Sequence, residues 1–286
     1  MNTKQHFLPA GFLKNFSASP SAGREAPVWA FDGQRSFQTA VKNVCVEGDF
    51  YTFDREQEFN VHGELETGLF DVLPKLLDGD RTDRVLVSML FHACYLHIRG
   101  REFENASGVA RLNAIQTHGV TFICRHVLRM SLEEQPLGRA TARLMVSTAL
   151  TDFHFEVVRA DTSSGDTDLY CSDNPVAIFT RDGRPDLLVL PLTATQLFVA
   201  ARASAFETRG NKYDETDAAW ANSAQCYFTH RQVFSRHEMP EQDRMQAAAL
   251  MRRRPKTNSA LEPDSLTVTP SSIPKPLPSF LVARVE

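Results

Sequence analysis

The chain has 286 residues, 42% of them hydrophobic and 23% charged, with a formal net charge of −4. That is globular composition, and the acidic balance excludes a protein whose main business is coating nucleic acid, which needs a broadly basic surface. The longest apolar runs, such as 187–192, are far too short to cross a bilayer. Met1-Asn2-Thr3-Lys4-Gln5-His6-Phe7 lacks the apolar stretch and small-residue cleavage site of a signal peptide, so the expected location is the cytoplasm of a bacterial-type cell.

Strands and turns are expected first. Val28-Trp29-Ala30-Phe31-Asp32 reads as a strand, Gly33-Gln34 as a turn, 36–41 as the hairpin partner, and Phe50-Tyr51-Thr52-Phe53 as another strand. The period then changes. Leu65, Leu69, Val72, Leu73 and Leu76 have the three-and-four spacing of a helix over 63–77, with Pro74 set to kink or restart it. Residues 83–99 form a strong helix, apolar around so much of its circumference that it belongs in the core. Helices over 110–130 and 137–150 follow, the second opened by Pro136.

The second half returns to strands. Residues 153–159 alternate, 169–171 and 176–180 flank a turn, 181–186 is a hairpin connection, and 187–192 with 197–201 complete an antiparallel sheet. Helices over 214–229 and 240–253 come next. Residues 255–279 hold six prolines and no apolar periodicity, the mark of a loop or disordered tail, and 280–283 can return as an edge strand. The expected fold is therefore α+β, a central helical block packed against a mainly antiparallel sheet. It forms a single domain over 1–254, with 255–286 as a Pro/Ser-rich tail.

Four segments resemble the family called domain of unknown function 4238. Lys4-Gln5-His6-Phe7-Leu8-Pro9 and Phe12-Leu13-Lys14-Asn15-Phe16-Ser17 are similar to its opening pattern K-Q-H-Y-V-P and Y-L-x-x-F. Lys42-Asn43-Val44-Cys45 with Phe50-Tyr51 resembles its second segment, with Glu66 in the place of the following acid. His97-Ile98-Arg99 stands where the family has a helical arginine, and Ser172-Asp173-Asn174-Pro175-Val176 with Pro191-Leu192 resembles its best-known signature. The likeness runs over about residues 4–235. It departs at Phe153-His154-Phe155, where a tryptophan is common, and it stops before the tail. It implies a fold and nominates residues, and it brings no reaction with it.

Those residues have two readings each. Asp173 and Asn174, before a proline and between strands, suit a tight turn whose side chains bond back to the backbone; the same turn could present Asp173 as acid, base or metal ligand and Asn174 as a donor. His6, tied down by Phe7, Leu8, Phe12 and Phe16, is either a core histidine or a general acid/base. Arg99 ends a helix where the dipole favours a cation anyway, and it could also clamp a phosphate or carboxylate. Glu66 is either its buried structural partner or catalytic.

Other patterns count for less. Asp152, His154 and Glu156 share one strand face, which suits a divalent metal or, more simply, solvent. His92, His97, His118 and His126 have no three- or four-residue spacing for a helical metal site. No G-x-S-x-G, phosphate-binding glycine loop or dinucleotide fingerprint is present. Five cysteines, Cys45, Cys94, Cys124, Cys171 and Cys226, form no C-x-x-C pair and sit in apolar contexts that raise thiol pKa. Arg252-Arg253-Arg254-Pro255-Lys256 is a basic helix end, where nucleic acid is one candidate partner.

Two functions remain. One is a hydrolase of a phosphodiester or other anionic substrate, nuclease-like in a toxin or defence role. It would have His6 as acid/base, Arg99 as anion clamp, Asp173 with Glu66 as a carboxylate pair or Mg²⁺ ligands, and Asn174 as donor. The other is a non-catalytic module that binds a ligand or a protein. Convergence of His6, Glu66, Arg99 and Asp173 on one cleft favours the first.

Overall fold

The computed structural model describes residues 4–48, 55–99, 152–161, 168–181, 184–204, 206–208, 211–253, 277–279 and 281–283. The fold is α+β. Its order is β1 (Lys4–His6), α1 (Ala10–Leu13), β2 (Pro27–Phe31), β3 (Ser36–Ala40), β4 (Val46–Gly48), α2 (Arg55–Leu77) and α3 (Asp83–Arg99). Then come β5 (Phe153–Ala160), β6 (Cys171–Ser172), β7 (Ala177–Arg181), β8 (Arg184–Thr193), β9 (Gln196–Arg202), β10 (Phe206–Thr208) and β11 (Lys212–Tyr213). Helix α4 (Glu215–Phe228), β12 (Val233–Ser235), α5 (Glu241–Arg253) and β13 (Leu281–Ala283) complete the series.

A five-stranded sheet in the order β11-β5-β9-β8-β7 is antiparallel except where β11 joins β5 in parallel. Both of its faces are buried, which explains the unbroken apolar run of β8. Leu188 and Leu190 of β8, with Phe198 and Ala200 of β9, face a core shared with Leu69, Leu73 and Leu76 of α2 and Met89, Leu90 and Leu96 of α3. The alternate residues Leu187, Val189, Leu197, Val199 and Ala201 face a second core with Trp220, Ala221, Ala224 and Phe228 of α4. A third, smaller cluster joins Phe31 and Val233 to Met239 and to Ala247 of α5.

The N-terminal strands do not extend this sheet. They form a second, fully antiparallel sheet, β3-β2-β12-β6, while β1 pairs with β4 and β10 with β13. Here the sequence expectation needs correcting. The strand expected over 169–171 belongs to the second sheet and the one over 176–180 to the first, because the chain crosses between sheets at Asp173–Pro175. Proline at 175 has no N–H to continue a ladder. Helix α2 begins at Arg55, well before 63, and is assigned as one helix through Pro74 without restarting, since Leu73 and Leu76 on either side are both held in the core. The strand expected over 50–53 and the helices over 110–130 and 137–150 lie outside the described residues.

Helices α2 and α3 fold back on each other through 78–82. Gly68 lies under His92, where a Cβ would come within 3.0 Å of the imidazole. The N-terminal segment presses on the same hairpin: a Cβ on Gly11 would stand 2.6 Å from Cζ of Phe70. His92 is buried, and its Nδ1 has no hydrogen-bond partner among the described residues. Burial pushes its pKa down from 6.5 to about 4. Among the described residues, no helix is long and apolar enough to cross a membrane.

Two outcomes follow from these contacts. Gly11→Ala should lower stability by about 1–3 kcal/mol in urea unfolding, the usual cost of forcing an extra carbon into a packed site. Below pH 6.5 the unfolded chain takes up a proton that folded His92 refuses until about 4. Stability should therefore be full above 6.5 and decline as the pH falls, by at most about 3 kcal/mol from this group. His92→Leu should flatten that part of the pH profile; an unchanged slope would show that other groups produce it.

Candidate functional site

The signature segment is held by one polar stripe on α4. The helix opens with a capping box in which Asp214 and Asp217 each accept from the other's backbone N–H. Farther along it carries Asn222, Gln225 and, just past its end, Thr229, spaced so that all three meet the same neighbour. That neighbour is the segment 168–175, met at its backbone by Asn222 and Gln225 and at the Asp173 carboxylate by Thr229. Tyr170 N donates to Asn222 Oδ1 at 2.7 Å, and Asn222 Nδ2 donates to Asp168 O at 2.9 Å. Ser172 N donates to Gln225 Oε1 at 3.0 Å, and Gln225 Nε2 donates to Pro175 O at 2.9 Å. On the opposite side β6 pairs with β12, and Asp173 N donates to Gln232 O at 3.0 Å. β6 is an edge strand, and the two side-chain amides close its open edge.

Asp173 completes the clamp and is 2% exposed. Its Oδ1 accepts from Thr229 Oγ1 and His230 N, both at 2.7 Å, and its Oδ2 from Arg231 N at 2.8 Å. The carboxylate thus gathers the donors of the turn that leaves α4. Ser172 Oγ donates to Asn174 O at 2.6 Å, and Asn174 Nδ2 donates to Phe228 O at 3.2 Å, taking a carbonyl of the helix end. Asn174 Oδ1 is buried without a hydrogen-bond partner among the described residues.

The other nominated residues sit on neighbouring elements. His6 is half-buried at the end of β1, opposite Val46 of β4. Next to it Phe7 N donates to the carbonyl of Cys45, a residue in the left-handed region at φ 53°. One exposed ion pair, Arg231 Nη1 to Glu47 Oε1 at 3.5 Å, ties the β1–β4 ribbon to the turn that Asp173 holds. Glu66 is half-buried on α2, one turn before the Phe70 that carries Gly11. Arg99 is the last residue of α3, and its side chain lies outside the described residues. Asp173 and Asn174 therefore share one buried knot, His6 lies on a ribbon linked to it by the Arg231–Glu47 pair, and Glu66 and Arg99 belong to the α2–α3 hairpin.

The strand face of Asp152, His154 and Glu156 has Asp152 exposed and the other two half-buried, and Glu156 Oε1 accepts from Val157 N at 3.0 Å. No group of three potential metal-ligating side chains occurs among the described residues. Cys45, Cys171 and Cys226 are buried and form no disulfide among the described residues. Burial, aided by the charge of Asp173, holds the Cys171 thiol well above its ordinary pKa, and burial with Asp243 pushes Cys226 up to about 12. Neither Cys171 nor Cys226 is a ready nucleophile at neutral pH.

Beside the clamp opens a cleft of about 310 Å³ that the sequence does not announce. Its lining includes Asp168, Tyr170, Glu215, Asn222, His237 and Asp243. Tyr170 Oη donates to Asp243 Oδ2 at 2.8 Å, joining β6 to α5 across the floor. Arg236 approaches Asp168 at 3.7 Å and His237 approaches it at 3.8 Å. The one available sequence signal was the Asn222/Gln225 pair, two amides three residues apart on an otherwise alanine-rich helix.

The model of the family described as Protein of unknown function (DUF4238) matches residues 4–239, and the chain belongs to that family. No curated protein matches the chain, and no solved structure does.

If the clamp holds the fold, Gln225→Leu strands Ser172 N and Pro175 O and should cost about 2–6 kcal/mol, roughly 1–3 for each orphaned group. Asp173→Asn, which turns a donor toward donors, should cost about 1–3 kcal/mol. Chemical denaturation of both beside Glu156→Ala provides the measurement, and two wild-type stabilities would contradict the clamp.

Proposed function

We propose that this member of the DUF4238 family is a non-catalytic ligand-binding module, and that its ligand is a small polar molecule without net negative charge, held in the cleft between α4, the 168–172 segment and the start of α5. One observation carries the reading: the polar atoms of the signature turn inward onto the end of α4, whereas Asp168, Tyr170, Asn222, His237 and Asp243 line open space. A cleft of about 310 Å³ has room for a compact metabolite rather than a polymer. Four carboxylates, Asp168, Glu215, Glu238 and Asp243, line it; Arg236 and His237 stand against Asp168 and Arg244 against Glu238, which leaves Glu215 and Asp243 without a cation partner among the described residues. A phosphate or carboxylate entering it would meet like charge at close range, and an amine or a polyol would not. The carboxylate oxygens supply the directional acceptors that fix orientation in such sites, since the Asn222 amide is already bonded to the 168–170 backbone and the Tyr170 hydroxyl to Asp243.

Thermal-shift and calorimetric titration of two panels, amines and polyols against nucleotides and phosphorylated sugars, tests the proposal. Binding is expected from the first panel alone. Asp243→Asn or Glu215→Gln should weaken it about 5- to 10-fold, equivalent to roughly 1–1.4 kcal/mol. Hydrolysis of a phosphodiester that disappears in His6→Ala while stability is kept would overturn the reading and restore the hydrolase.

A further inference from the structure

The end of the chain returns to the fold at a place built to receive it. Leu277 packs against the core on the α4 side of the five-stranded sheet, and Pro278 is buried. Ser279 then donates twice to Asp217, from its N to Oδ1 at 2.6 Å and from its Oγ to Oδ2 at 2.5 Å. Asp217 is 3% exposed and is fixed in the first turn of α4 by the capping box. Beyond Ser279, β13 adds to β10, with Phe206 opposite Ala283, Glu207 opposite Val282 and Thr208 opposite Leu281.

Each half of this contact belongs to peptide recognition rather than to core packing. β13 is the strand partner of β10 among the described residues, so without it β10 presents unpaired N–H and C=O groups. Phe206 is 1% exposed and anchors β10 in the second core whichever strand lies beside it. A sheet edge takes an extended segment through main-chain bonds, and charge-assisted hydrogen bonds to a carboxylate beside it fix the register. Asp217 does that here by reading a main-chain N–H and a serine hydroxyl together.

We propose that the edge of β10 and the Asp217 carboxylate form a peptide-acceptor groove, that Leu277, Pro278, Ser279 and β13 are its tethered occupant, and that an extended peptide of the same chemistry, a proline and a serine followed by an apolar strand, exchanges with them. The tether sets the threshold for exchange, since an occupant on the same chain acts at a high effective concentration.

The test uses the full-length protein and a fluorescein-labelled synthetic peptide of residues 274–286, followed by anisotropy. Ser279→Ala removes the hydroxyl donor from the tethered occupant alone, so the labelled peptide should bind this variant about 10-fold more tightly than the unmodified chain. Val282→Pro, which weakens the pairing of β13 instead, should act in the same direction. Adding Asp217→Asn to either should abolish the gain. Equal affinity for all the proteins, no binding to any, or tight binding that survives Asp217→Asn overturns the proposal. So does loss of native circular dichroism in both Ser279→Ala and Val282→Pro, because a segment whose loosening unfolds the protein is not exchangeable.

Discussion

Two side-chain amides and one carboxylate let the chain pass from one sheet to the other. Segment 168–175 leaves the β12 edge, turns at Asp173–Pro175 and enters the five-stranded sheet, all within the interior. A backbone that changes sheets under cover must still satisfy its N–H and C=O groups, and each one stranded costs about 1–3 kcal/mol. Asn222 and Gln225 take those of Asp168, Tyr170, Ser172 and Pro175, while Asp173 takes the donors at the end of α4. Helix α4 is thereby fixed to the crossover, and its apolar face is fixed against the five-stranded sheet. The cleft, the second core and the contact of Ser279 with Asp217 all depend on that placement.

This arrangement turns the polar atoms of the signature inward, onto the end of α4. A carboxylate that accepts from three donors is well solvated by protein. The thiols on either side of the same helix interface, Cys171 and Cys226, are held protonated by burial. Polar side chains line open space in the cleft between α4, the 168–172 segment and the start of α5. The functional proposal rests on this division between a sealed clamp and an open cleft.

Much of the architecture was legible in the sequence because it rests on local periodicity. The hairpin at Gly33, the helix over 83–99, the alternating strand over 153–159 and the apolar run at 187–192 are each set by near neighbours in the chain. A terminal strand at 280–283 was legible for the same reason. The limits of α2 were not: a weakly amphipathic stretch from Arg55 to Gly63 has little apolar signal of its own, and the core holds the helix through Pro74.

The candidate site divides along the same line. Sequence alone determined that Asp173 and Asn174 form a polar turn before a proline, since short polar side chains and a missing N–H prescribe a turn in any context. Tertiary structure decided what the turn holds. Its partners, Gln225, Phe228, Thr229, His230 and Arg231, lie more than 50 positions away, and no local pattern ties them to residue 173. The cleft was equally out of reach, because a cavity is a property of the gap between elements rather than of any one of them. Periodicity tells a residue which face it is on; only the packed chain tells it what it faces.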